Sequence, residues 1–161
     1  MKKILFIRHG SAEIFNYNIK DYDRPLDSKG IKEAEYIGND LSQNNISPVL
    51  YITSPAIRAK NTCEIIRKEI NNNSPVMIDK RLYFDGMKGI INSINNIDNN
   101  IQFVAMFGHN PTFEIIYNNI KGMNNSKFPT CGSILCKFDV DKWELFSIKG
   151  AKILYDNWPK I

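Results

Sequence analysis

The sequence predicts an α/β fold: a three-layer sandwich with a mainly parallel central sheet and helices on both faces. Two observations carry this. Short apolar runs alternate with segments of helical period along most of the chain, and the last two runs flank a turn, as a closing antiparallel pair would. A third sets the scale: 161 residues, 43% of them hydrophobic and 24% charged, suffice for one domain over 1–161 with a core of its own.

Lys2 to Arg8 and Pro48 to Thr53 read as buried strands, Val76 to Asp79 as a shorter one, and Ile101 to Gly108 as another apolar run ending in glycine. Ser133 to Asp139 and Trp143 to Ile148 flank the turn "DVDK" as a hairpin. Asp27 to Asn44 puts Ile31, Ala34, Ile37 or Gly38, and Leu41 on one helical face. Pro55 to Ile70 does the same with Ala59, Cys63, Ile66 and Ile70. Met87 to Ile97 and Pro111 to Ile120 are shorter helices. The Asn-rich stretches "NNNS", "NNIDNN" and "GMNNSK" fall between periodic segments and read as loops, and no internal repeat or linker is visible.

The net charge of +4 is spread along the chain, without the basic stripe of a nucleic-acid binder. The apolar stretch in "MKKILFIRHG" is too short for a signal peptide, and no run approaches the ~20 residues that span a bilayer. A cytoplasmic protein is expected, with neither nucleic-acid nor membrane partner. Cys63, Cys131 and Cys136 form no CxxC pair, so buried free thiols are expected, and the sequons at Asn72 and Asn124 then carry no meaning.

The strand ends hold the chemistry. Arg8, His9 and Gly10 follow the first strand, Ser54, Pro55 and Arg58 the second, and Gly108, His109, Asn110 and Pro111 the fourth. Ligands of open α/β sheets bind beyond the carboxyl ends of the strands, where these groups can converge. Both histidines of the chain stand just after such a strand. Ser54 before Pro55, and Asn110 before Pro111, each look like a capping residue followed by proline at the first helical position. Two helix N-termini would then face one crevice, and the planar forks of Arg8 and Arg58 make it suited to phosphate. Gly10 would let the backbone turn sharply behind His9. Thr130 and Ser133 in "PTCGS" are further candidates for phosphate contact, with strand capping as their ordinary role.

"RHG" after the first strand, "SPAIRA" opening a helix and "GHNP" after a later strand resemble the histidine phosphatase superfamily, in the right order from end to end. The short chain, "RHGSAE" and "DRPLDSKG" are most similar to the SixA-type phosphohistidine phosphatases; Asp27 stands where threonine is commoner. The resemblance implies a phosphoglycerate mutase-like fold without a large helical lid. It implies a metal-independent hydrolase with no cofactor, in which His9 takes the phosphoryl group and Arg8, Arg58, His109 and the Gly10 backbone hold its oxygens. It also implies signal transduction as the setting, with a phosphorylated histidine-containing phosphotransfer protein as partner of a monomeric enzyme.

Larger members of the superfamily protonate an alkoxide leaving group with a carboxylic acid. Asp85, in "LYFDGMKG", is the best placed candidate proton donor here, ahead of Glu13 and Asp23. A P–N bond to imidazole breaks more easily, so a phosphohistidine phosphatase could do without a strong acid. Three readings stay open: that enzyme, a small-molecule phosphomonoesterase of the same superfamily, and a catalytically silent domain that binds phosphoproteins. Other phosphatase chemistries fail on spacing. Six residues after Cys131, Cys136 and Cys63 stand Lys137, Lys142 and Glu69, where a cysteine phosphatase needs arginine. "DVDKW" lacks the residues that follow an aspartyl-phosphate nucleophile, and there is no GxxxxGK loop for a nucleotide. Two histidines without clustered cysteines or carboxylates argue against a metal site.

Overall fold

The computed structural model describes residues 1–161. Six strands form one sheet: β1 (Lys2–Arg8), β2 (Leu50–Thr53), β3 (Val76–Ile78), β4 (Phe103–Gly108), β5 (Ser133–Phe138) and β6 (Lys152–Asn157). Their spatial order is β3-β2-β4-β1-β5-β6. The first four neighbours pair in parallel, and β5 and β6 add antiparallel strands at one side. Helices α1 (Ser28–Gln43), α2 (Ile57–Ile70), α3 (Arg81–Phe84), α4 (Gly86–Asn95) and α5 (Thr112–Lys121) complete the chain.

Alternation along the strands separates two cores. Ile4 and Phe6 of β1 pack with Ile52, Val104 and Met106 against Ile90 and Ile94 of α4 and Phe113 and Ile116 of α5. Leu5 and Ile7 point the other way and pack with Tyr51, Ala105 and Phe107 against Ala34, Ile37 and Leu41 of α1 and Cys63 and Ile66 of α2. The sheet is covered on both faces, which explains why β1 and β4 read as continuous apolar runs. Helix α1 starts on Asp27, whose Oδ1 accepts the Gly30 N–H at 2.7 Å. All three cysteines are buried free thiols. No helix is long and apolar enough to cross a membrane.

Several expectations are corrected. Trp143 to Ile148 is no strand: it folds as two 3₁₀ turns, Trp143–Leu145 and Ile148–Gly150, and the strand that pairs with β5 is Lys152–Asn157. Tertiary anchoring overrides local β-propensity. The Trp143 ring is fully buried, its indole N–H donates to the Ile101 carbonyl at 3.0 Å, and its backbone N–H donates to Asn99 Oδ1 at 2.8 Å. Ile31 is 42% exposed, and the inner face of α1 runs instead through Gly30, Ala34, Ile37, Gly38 and Leu41. Gly38 is needed there because a Cβ would lie 2.6 Å from that of Glu69, on α2. Helix α3 went unforeseen because a single turn shows no periodicity.

Trp143→Ala should destabilise the domain by about 3 to 5 kcal/mol, the cost of truncating a large buried aromatic. Urea unfolding measures it, with an unchanged midpoint as the contrary result.

Candidate active site

Strand register builds the site. Arg8 stands opposite Gly108 in the β1–β4 pair, and Thr53 opposite Phe107 in the β2–β4 pair. The next residues, His9, His109 and Ser54, therefore emerge side by side at the carboxyl edge of the sheet. The two imidazole centroids are 5.0 Å apart. The His9 backbone is held from both sides: its N–H donates to the Gly108 carbonyl at 3.1 Å, and its carbonyl accepts the Cys131 N–H at 3.2 Å.

The His9 ring has one available protonation pattern. Nδ1 lies 2.7 Å from the Gly10 carbonyl, which can only accept, so Nδ1 carries the proton and Nε2 keeps its lone pair. Burial, then the neighbouring His109, lowers the His9 pKa from 6.5 to about 3. The ring is neutral at physiological pH. Arg58 Nε faces Nε2 at 3.4 Å. Gly10 is required for a reason other than a sharp turn: a Cβ there would meet the Gly30 carbonyl oxygen at 2.8 Å, while its N–H donates to Thr62 Oγ1 at 3.0 Å. Thr62 in turn donates to the Arg58 carbonyl at 2.7 Å, so α2 carries the arginine and braces the loop behind His9.

Two buried nitrogens at the site lack a protein partner, Nε of Arg8 and Nδ1 of His109. Arg8 is anchored through Nη1 on the Phe128 carbonyl at 3.0 Å. Nε2 of His109 lies 2.7 Å from Ser54 Oγ, and with that hydroxyl donating, the ring proton sits on Nδ1. Burial, then Arg58, lowers the His109 pKa to about 3. Orphaned buried polar groups are rare because they cost 1–3 kcal/mol or so each. Two of them beside the His9 Nε2 lone pair and the Arg58 fork make a donor set suited to an oxyanion.

The structure brings Arg8, His9, Arg58 and His109 together, and the candidate proton donors form no hydrogen bond to any of them. Asp85 is exposed at the start of α4 and makes no hydrogen bond to this group, and Glu13 and Asp23 are likewise exposed. Thr130 Oγ1 donates to Glu33 Oε1 at 2.8 Å, and Ser133 Oγ to the Asn157 carbonyl at 3.0 Å, which commits both to the framework. The capping expectations shift too. Helix α2 starts only at Ile57, although Ser54 Oγ does accept the Ala56 N–H at 3.1 Å. Asn110 caps nothing, because its side-chain amide donates to the Phe128 carbonyl at 3.0 Å and to Glu114. A surface cleft of about 780 Å³ runs beside α5 from Pro111 to Asn125 and holds none of the four site residues.

Sequence reasoning missed Asp21 and Tyr83. Asp21 sits in a 3₁₀ turn, Asp21–Asp23, that lies over the site. Its backbone carbonyl accepts from Arg58 Nη1 at 2.6 Å, and its Oδ2 accepts from Arg58 Nη2 at 3.0 Å and from the Tyr83 hydroxyl at 2.8 Å. Although burial alone would raise it, hydrogen bonds from Tyr83, Arg58 and Arg24 bring its pKa down to about 2. The Tyr83 ring stands edge-on to His109 with centroids 5.3 Å apart. The one sequence signal for Asp21 was its spacing of three from Arg24, which pairs with it at 2.8 Å.

Comparison with known proteins agrees with this geometry. The family model for the histidine phosphatase superfamily (branch 1) matches residues 4–83, the segment that holds His9, Asp21 and Arg58. An uncharacterized protein of Mycobacterium tuberculosis is 31% identical over 136 residues, covering 78% of this chain and 83% of its own. The chain belongs to the histidine phosphatase superfamily. Its coarse activity is that of a phosphatase, a hydrolase. Among solved structures, the chain named SixA from Agrobacterium tumefaciens superposes with a TM-score of 0.83 at 22% identity, over 98% of both chains. A protein histidine phosphatase SixA complexed with tungstate superposes at 0.79 and 19% identity, over 97% of this chain and 96% of that one. The phosphoglycerate mutase-like fold of SixA is thereby shared.

The pKa shifts have a readable consequence. A histidine whose folded pKa lies below its unfolded value binds fewer protons folded than unfolded between the two. Stability from His9 and His109 is therefore full above pH 6.5 and is lost progressively as pH falls from 6.5 toward about 3. Asp21 adds stability that is present above pH 3.8 and lost as pH falls toward about 2. Nitrogen NMR should show both imidazoles neutral down to pH 5 in the folded protein, and a titration near 6.5 would contradict the buried geometry.

Proposed function

We propose that the protein is a phosphohistidine phosphatase that works through a phosphorylated His9. The observation that carries this reading is the pairing of a neutral His9, whose Nε2 lone pair meets only the long 3.4 Å contact from Arg58 Nε, with a site carboxylate that cannot donate a proton. Asp21 is ionised down to a pH of about 2, so it is no general acid for an alkoxide. An imidazole leaving group needs far less help, because protonation of its ring makes it neutral on departure.

In the first step the His9 Nε2 lone pair attacks phosphorus in line, a new P–N bond forms, and the substrate's P–N bond breaks. The released pair stays on the substrate imidazole, which leaves neutral. In the second step water attacks phosphorus, a proton passes to solvent or phosphate, and the P–N electron pair returns to His9 as inorganic phosphate departs. Arg8 Nε, His109 Nδ1 and the Arg58 edge that faces His9 would take the phosphoryl oxygens, where spreading charge is best met by fixed donors in a partly dry site. The tungstate bound by the SixA relative is a tetrahedral oxyanion of the kind such a set would hold.

The mouth of the pocket suits a planar aromatic leaving group. Tyr83 packs edge-on with Tyr22 at 5.4 Å and with Phe84 at 4.7 Å, and Phe84 is 64% exposed. A histidine on the surface of a phosphotransfer protein, in a cytoplasmic signalling relay, fits that description. The second reading, a small-molecule phosphomonoesterase, needs an acid, and Asp85 is the residue left to supply it.

The deciding experiment compares rates on a phosphohistidine-bearing phosphotransfer domain and on a panel of phosphate monoesters. Fast loss from phosphohistidine with slow ester turnover is expected, and the reverse would promote the esterase. His9→Ala should lower turnover by at least about 10³-fold and abolish the alkali-stable, acid-labile label that substrate phosphate leaves on the enzyme, as removal of a nucleophile does. Asp85→Asn should leave the phosphohistidine rate within about twofold; a loss comparable to that from a general acid, ~10²-fold or more, would restore Asp85 as the proton donor.

A further inference from the structure

Asp21 does more than brace a neighbour. The Arg58 guanidinium has two usable edges. Its end-on edge, Nη1 and Nη2, is spent on the Asp21 carbonyl and Oδ2, which leaves the edge containing Nε turned toward His9. The Asp21 carboxylate is equally occupied on its other oxygen: Arg24 Nε donates to Oδ1 at 3.0 Å, and Arg24 Nη2 lies 2.8 Å from it. Arg24 Nη1 is taken by the Glu13 carbonyl at 2.7 Å. Depth orders these groups. The Arg58 side chain is 6% exposed and that of Asp21 43% exposed, so the carboxylate lies on the solvent side of the pocket. In-line attack by His9 directs the leaving group outward, toward that same side.

We propose that Asp21 is a specificity-determining residue that selects against substrates carrying a second anionic group beside the phosphoryl group. It engages both guanidinium groups that could greet such an anion, Arg24 and the outer edge of Arg58, and adds a negative charge of its own at the mouth. A leaving group that is neutral or cationic, such as an imidazole, meets no such penalty. The inference rests on the phosphatase reading of the His9 pocket, but it concerns the charge of the leaving group and not its identity.

Two non-hydrolysable ligands of similar length test it, 2-aminoethylphosphonate and 3-phosphonopropionate, which differ in the sign of the distal charge. Calorimetry should find the cationic ligand bound about tenfold more tightly by the wild-type protein at low salt, as one charge at partly exposed distance allows. Asp21→Asn keeps a similar shape and an acceptor oxygen, and should collapse or invert that ratio. Tyr83→Phe removes one hydrogen bond to the carboxylate while keeping its charge, and should shift both affinities together with the ratio preserved. An Asp21→Asn protein that folds and keeps the wild-type ratio overturns the proposal, as does a Tyr83→Phe protein that loses it. If the charge preference holds while phosphohistidine is not turned over, the functional reading fails and this one stands. If phosphohistidine is turned over but the wild type binds both phosphonates equally, the reverse is true.

Discussion

Parallel pairing of β1 with β4, in the register that sets Arg8 against Gly108, is the constraint on which the site depends. A slip of one residue would turn every side chain of β1 to the opposite face and carry Ile4 and Phe6 out of one core and Leu5 and Ile7 out of the other. Two sets of buried contacts therefore enforce the register that delivers His9 next to His109. The geometry of the site inherits its precision from packing.

The charged residues around that pair have divided tasks. Glu33, buried on α1, accepts the Ser11 N–H at 2.8 Å and the Thr130 hydroxyl at 2.8 Å, and so ties the loop after β1 to the turn before β5. Asp27 caps α1 and accepts from Ser11 Oγ at 2.6 Å, which fastens the same loop a second time. Asp21 alone reaches the cations of the pocket. All three carboxylates hold donors in place so that little rearrangement is needed when charge develops.

Much of this was legible in the sequence because the relevant residues sit at ends of periodic segments. Arg8, His9, Arg58 and His109 follow strands whose apolar runs stand out, and a parallel sheet leaves few ways to arrange those ends. Asp21 and Tyr83 were not legible. The bond from Arg58 to Asp21 spans 37 residues and that from Tyr83 to Asp21 spans 62, and the loop and single helical turn that carry them have no period to read. The misplaced last strand has a similar origin. Trp143 carries a strong β-propensity, and only its long-range bonds to Ile101 and Asn99 show why it turns instead of extending.

The buried thiols described with the fold bear on the conditions the enzyme can withstand. Burial pushes Cys63 and Cys136 up to about 12 and Cys131 well above its ordinary value, so none forms the thiolate that peroxide attacks. The pocket itself is made of imidazole and guanidinium groups, which mild oxidants leave alone. A pocket built this way holds no thiolate for an oxidant to take, unlike one whose nucleophile is cysteine.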